Sequence, residues 1–149
     1  MKFKHKHKIL ILIVEDNELN FQMYRELFEQ KGFEAVVLPH ADGFFPEEVS
    51  KIEPDIISMD IMLGKDGVQR ERDGLEAIAA LKADLRTHDI PVFVLTNFFE
   101  ETKVNRAKEL GVVDFIFLPG QTITKIPELF STYLKDPKHY KPSHPSFRK

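Results

Sequence analysis

The strongest constraint in this chain is a repeated switch of period: short apolar, β-branched runs alternate with longer segments whose apolar residues recur at helical spacing. Strand candidates lie at Lys8–Val14, Glu34–Leu38, Asp55–Asp60, Pro91–Leu95 and Val113–Phe117. Four of these are nearly continuous apolar runs, the pattern of strands buried on both faces of a parallel sheet. Glu34–Leu38 is the shorter, edge-like one. Helical spacing predicts helices at Glu18–Lys31, Pro46–Ile52, Gly74–Leu85, Glu100–Leu110 and Pro127–Lys135. A strict βα alternation with right-handed crossovers gives an α/β fold with a doubly wound, open parallel sheet, whose ligands bind at the carboxyl ends of the strands.

The punctuation between segments agrees. Asn17 is placed to cap the first helix, Gly32 and Gly111 follow helices where a left-handed residue belongs, and Pro46 and Pro127 sit in first turns. A length of 149 residues fits one domain and is too short for a regulator plus a separate output domain. The reading divides it into a basic arm or tag at 1–7, a domain at 8–135 and a basic, Pro-containing tail at 136–149 without helical or strand period. Tyr140 and Phe147 are the tail residues able to pack back on the domain, whereas His139 and His144 lack the company of a metal site.

Charge narrows the function classes. Four lysines in residues 1–8, and five basic groups against Asp136 in 135–149, leave residues 9–134 at −11 in a chain of net −3. Such an acidic body does not offer the basic face that direct nucleic-acid binding needs, and it favours a site that gathers cations. With no Cys there is no disulfide framework and no thiolate nucleophile, so the expected compartment is the cytoplasm. The longest apolar run, Ile9–Val14, is far too short to cross a membrane.

The residues that follow the strands are polar. The first strand ends in Glu15-Asp16, the third in Asp60 and the fourth in Thr96-Asn97. Clustered carboxylates repel one another unless a hard cation lies among them, and a few oxygen ligands completed by water suit Mg²⁺. A single such residue is explained as a helix cap; three at adjacent strand ends point to a site.

The runs Ile9–Asn20, Pro54–Leu63, Asp73–Ile78 and Ile90–Thr96 together resemble the receiver domain of two-component response regulators, over about residues 8–135. The resemblance implies a flavodoxin-like (βα)5 fold with strand order 2-1-3-4-5. It implies that Glu15, Asp16, Asp60 and the Met62 carbonyl hold Mg²⁺, and that Asp60 accepts a phosphoryl group from a histidine kinase or phosphotransfer protein. Thr96 would contact the phosphoryl oxygen, and Phe115 falls at the switch aromatic. The implied output is conformational change and protein contact, with a homodimer through helix 4, strand 5 and helix 5. The only catalysis implied is self-phosphorylation, so the chain is not read as an enzyme.

Three departures from the family pattern stand out. Leu118-Pro119 replaces the Lys-Pro pair at the end of strand 5, removing an ammonium from the phosphoryl site; the family's Pro follows a cis peptide, which Pro119 could share. Between Asp60 and Asp73-Gly74 the loop Gly64–Arg72 is about six residues longer than usual. It is either a solvated insertion or a means of folding Lys65, Arg70 or Arg72 back to supply the missing charge. Met62 and Phe98, two residues after Asp60 and Thr96, are bulky and apolar, which predicts a shielded, slowly hydrolysed acyl phosphate; Asn97 crowds the same pocket. The alternative reading is a phosphorylation-independent receiver-like binding module. An Asp-nucleophile phosphatase would need a second Asp where Met62 stands.

Overall fold

The computed structural model describes residues 8–64 and 69–148; the arm at 1–7 and the loop residue Lys65 lie outside them. The strands are β1 (Leu10–Val14), β2 (Glu34–Leu38), β3 (Ile56–Met59), β4 (Val92–Thr96) and β5 (Asp114–Phe117). The helices are α1 (Glu18–Gln30), α2 (Phe45–Ile52), α3 (Gly74–Ala83), α4 (Glu101–Glu109) and α5 (Ile126–Lys135). All strand pairings are parallel, in the order β2-β1-β3-β4-β5. This is the expected doubly wound sheet.

Alternate residues of each strand feed opposite faces. Leu12, Val14, Ile57, Met59, Val94 and Phe115 join one core layer with residues of α2, α3 and α4. Ile11, Ile13, Ile56, Phe93, Leu95 and Ile116 join the other with α1 and α5. The second layer is knitted by rings: Phe130 stacks on Phe93 at 4.2 Å and meets Phe28 edge-on at 4.9 Å, and Phe28 meets Phe33 at 5.0 Å. Offset and edge-on pairs of this kind add to area burial, so α1, α5 and the sheet are locked together.

Local chemistry sets the element ends. The Asn17 side chain accepts the Asn20 N–H at 3.0 Å, and Asp73 and Glu76 form a reciprocal capping box at the start of α3. Gly32 and Gly111 adopt φ of 93° and 82° after α1 and α4, as their sequence positions require. Several boundaries differ from expectation by one or two residues for visible reasons. Asp55 does not extend β3; its carboxylate accepts the Leu10 N–H at 2.8 Å and caps β1. The third helix stops at Ala83, not Leu85, because the Thr87 hydroxyl donates back to the Leu81 carbonyl at 2.7 Å and Asp84 starts a turn of its own. The bond before Pro119 is trans, unlike the family pattern.

That turn has a testable charge signature. The Asp84 carboxylate accepts the backbone N–H of Arg86 at 2.8 Å and its guanidinium at 2.9 and 3.0 Å. Chiefly through the guanidinium, these bonds pull the carboxyl from an ordinary 3.8 down to about 2. Because the folded value is depressed, the turn's contribution is full above the ordinary value and is lost as pH falls from about 4 towards 2. A carboxyl-carbon NMR titration should place the Asp84 midpoint near 2 and return it towards 3.8 in Arg86→Ala.

Candidate functional site

The parallel register aligns the carboxyl ends of the central strands. Val14 pairs with Met59, so Glu15 and Asp16 emerge beside Asp60, whose N–H bonds the Val14 carbonyl at 3.0 Å. One carboxylate oxygen from each of Glu15, Asp16 and Asp60 lies within 4.8 Å of the others. Thr96, at the end of β4, donates its hydroxyl to Asp60 Oδ1 at 3.0 Å, and the same oxygen takes the Met62 N–H at 3.1 Å. The sequence's four polar candidates are thus one constellation, with Glu15, Asp60 and Thr96 all almost fully buried.

Each acidic group is oriented by backbone. Glu15 accepts the Asn17 N–H at 3.0 Å and Asp16 accepts the Gly64 N–H at 2.9 Å, while Phe98 N–H holds the Thr96 Oγ at 3.1 Å. Asp16 Oδ1 is buried with no hydrogen bond among the described residues. An all-oxygen donor set with one such orphaned acceptor fits a hard divalent cation such as Mg²⁺. The negative charge is felt beyond the cluster. Tyr24 of α1 is buried, and its phenol is pushed above its ordinary value first by burial and then by the charges of Glu15 and Asp60.

The surrounding apolar residues are placed as follows. Met62 and Phe98 are half-buried against the α2–α3–α4 core layer, while Asn97 is exposed. Phe115 is fully inside that layer, two residues along β5 from Phe117, the partner of Thr96 in the β4–β5 ladder's register. Leu118 is buried in the opposite layer and its N–H bonds the Thr96 carbonyl at 2.9 Å.

The long loop corrects one expectation. Neither Arg70 nor Arg72 turns to Asp60. The Arg72 guanidinium donates to the carbonyls of Ala41 and Gly43 at 2.8 and 3.1 Å, and Arg70 lies 4.0 Å from Asp42. Glu71 completes the stitch, its N–H on Asp42 at 2.8 Å and its carboxylate on the Gly43 N–H at 2.7 Å. Two backbone carbonyls and a nearby acid capture these cations locally, so the loop buttresses the segment before α2.

Sequence reasoning also missed why residue 74 is glycine. A Cβ there would overlap the Asp60 carbonyl oxygen and the Ile61 Cα, and would lie 2.8 Å from the Asp60 carbonyl carbon. With hydrogen alone, α3 begins against the backbone that carries Asp60, and the Gly74 N–H bonds the Ile61 carbonyl at 3.1 Å.

Comparison with known proteins bears on the same constellation. Residues 11–125 match the response regulator receiver domain. The chain belongs to the response regulator receiver family. It is 32% identical over 127 residues to the polar-differentiation response regulator DivK of Brucella ovis, covering 85% of this chain and 96% of the relative. In fold, the receiver is similar to the phosphorylated cyanobacterial phytochrome response regulator RcpA (TM-score 0.70, 22% identity, 88% of this chain and 96% of that one). It is also similar to a response regulator receiver protein from Pseudomonas putida (TM-score 0.68, 21% identity, 85% and 98%). Among the described residues no helix is long and apolar enough to cross a membrane.

The packing at residue 74 gives a direct test. Gly74→Ala should destabilise the receiver by about 1–3 kcal/mol, the range for an overpacked contact with backbone. Denaturant unfolding would register the loss, and the amide resonances of Asp60 and Ile61 should move more than those of β2.

Proposed function

We propose that this receiver accepts a phosphoryl group on Asp60 from a histidine kinase or phosphotransfer protein and passes its state on by protein contact in the cytoplasm. The observation that carries this reading is the Thr96 hydroxyl 3.0 Å from an Asp60 carboxylate that shares its site with Glu15 and Asp16. Glu15, Asp16, Asp60 and the Met62 carbonyl would hold Mg²⁺, which when bound offsets the charge of the phosphoryl oxygens.

The chain's own part is positioning. The Met62 N–H and Thr96 hydroxyl fix the plane of the Asp60 carboxylate, so that it meets the phosphorus in line with the bond to be broken. A new O–P bond forms on Asp60 as the donor's N–P bond breaks, and its electron pair returns to the imidazole nitrogen. The acyl phosphate brings new acceptor oxygens within reach of Thr96, whose hydroxyl then leaves Asp60 Oδ1 for a phosphoryl oxygen. β4 and β5 are paired at Thr96–Phe117 and Val94–Phe115, so a shift of Thr96 is felt at Phe115.

Leu118 supplies apolar packing where the family pattern has an ammonium. Met62 and Phe98, two residues after Asp60 and Thr96 and partly buried against the core layer, would shield an acyl phosphate on Asp60 from water.

Incubation with acetyl phosphate and Mg²⁺ should add one phosphoryl group by intact mass, and Asp60→Asn should abolish the gain. Glu15→Gln and Asp16→Asn should each slow it by about tenfold or more, or about 1.4 kcal/mol of barrier. In the phosphorylated protein, Met62→Asn should shorten the acyl phosphate's lifetime. Mass gain persisting in Asp60→Asn would assign the phosphoryl group elsewhere.

A further inference from the structure

Residues 137–148 run as a strap across the open edge of the sheet. After α5, 3₁₀ turns at Pro137–His139 and Pro145–Phe147 carry the chain past β5, which among the described residues pairs only with β4. Tyr140 packs with the α1–α5 core layer and Phe147 with the α2–α3–α4 layer, so the segment between them passes round the β5 edge. The Tyr140 ring sits 5.7 Å from Phe93 and 5.6 Å from Tyr133, and the His144 ring lies edge-on at 5.8 Å from both Phe115 and Phe147.

Asp114, the first residue of β5, holds the strap. It is fully buried, and its carboxylate accepts the Tyr140 hydroxyl at 2.6 Å, the Ser143 N–H at 2.7 Å and the His144 N–H at 3.1 Å. The Phe115 N–H adds a fourth bond at 2.8 Å. Three of the four donors come from the strap, so lifting it strips the carboxylate of most of its partners; a buried carboxylate is tolerated only when hydrogen-bonded in this way. Arg148 closes the strap on itself, its guanidinium on the carbonyls of Pro142 and Ser143 at 2.8 and 3.1 Å.

An edge strand is a template for pairing with another chain unless something covers it. Here the exposed Phe99 lies 5.7 Å from Phe117, continuing the apolar character of this edge beyond the strap. We infer that residues 140–148 are an intramolecular strap, latched on Asp114, that keeps the β5 edge from docking a second copy of the chain. The strap also backs Phe115, so release of one frees the outer side of the other. This inference stands on the Asp114 contacts and is independent of phosphorylation at Asp60.

The test uses the full chain and two variants, with amide hydrogen exchange and sedimentation velocity as readouts. In the wild type the Ser143 and His144 amides should be protected and the protein monomeric. In Asp114→Asn their exchange should rise roughly tenfold or more, as expected for losing bonds to a charged acceptor. Amides of β1 and β3 should hold, and concentration-dependent self-association should appear. Tyr140→Phe combined with Ser143→Pro removes two donors from the strap alone and should do the same without touching the sheet. Unprotected strap amides in the wild type would overturn the latch. A variant that frees the strap yet stays monomeric at every concentration would overturn the closure against a second copy.

Discussion

Three carboxylates held within 4.8 Å of one another are an electrostatic burden, and the parallel sheet imposes it. Once β1 and β3 pair so that Val14 lies beside Met59, the next residues of both strands must emerge at one edge. Those residues are Glu15, Asp16 and Asp60. Backbone N–H groups of Asn17, Met62 and Gly64 each give a bond to this cluster, which fixes the orientation of its groups. On the proposed reading, such a site would gain stability from a bound cation and would respond to charge placed on Asp60.

The rest of the architecture keeps that arrangement rigid. Two apolar layers clamp the sheet, one of them through a run of edge-on and stacked rings from Phe33 to Phe93. Gly74 lets α3 start against the Asp60 backbone, and the loop through Glu71 and Arg72 ties the same region to the segment before α2. On the proposed reading, the Thr96 hydroxyl at the end of β4 would report a local event, because the elements around it are too well packed to absorb the event by drifting.

Most of this was legible in the sequence because its causes are local or periodic. The βα alternation fixed the sheet type, and Asn17, Gly32 and Gly111 marked helix ends by their own stereochemistry. The polar residues after three strands pointed to one edge, since parallel strands share a direction. What was not legible depends on contacts distant in sequence. The sequence left Arg70 and Arg72 either solvated or folded back towards Asp60, whereas they are taken by Asp42 and the carbonyls of Ala41 and Gly43. The tail has no period, so nothing local says that Tyr140, Ser143 and His144 share one acceptor at Asp114. The steric demand at Gly74 comes from the Asp60 and Ile61 backbone on another element and leaves no trace in its own neighbours.

The central claim is that charge placed on Asp60 is transmitted through Thr96 to Phe115 although Leu118 supplies no cation. The measurement that tests it most directly is amide NMR during titration with beryllofluoride, a mimic of the aspartyl phosphoryl group, in the presence and absence of Mg²⁺. The account predicts saturable, Mg²⁺-dependent shifts at Glu15, Asp16 and Asp60 that extend to Thr96 and Phe115 and vanish in Asp60→Asn. Shifts that stop at the three carboxylates, or no Mg²⁺-dependent response at all, would contradict it.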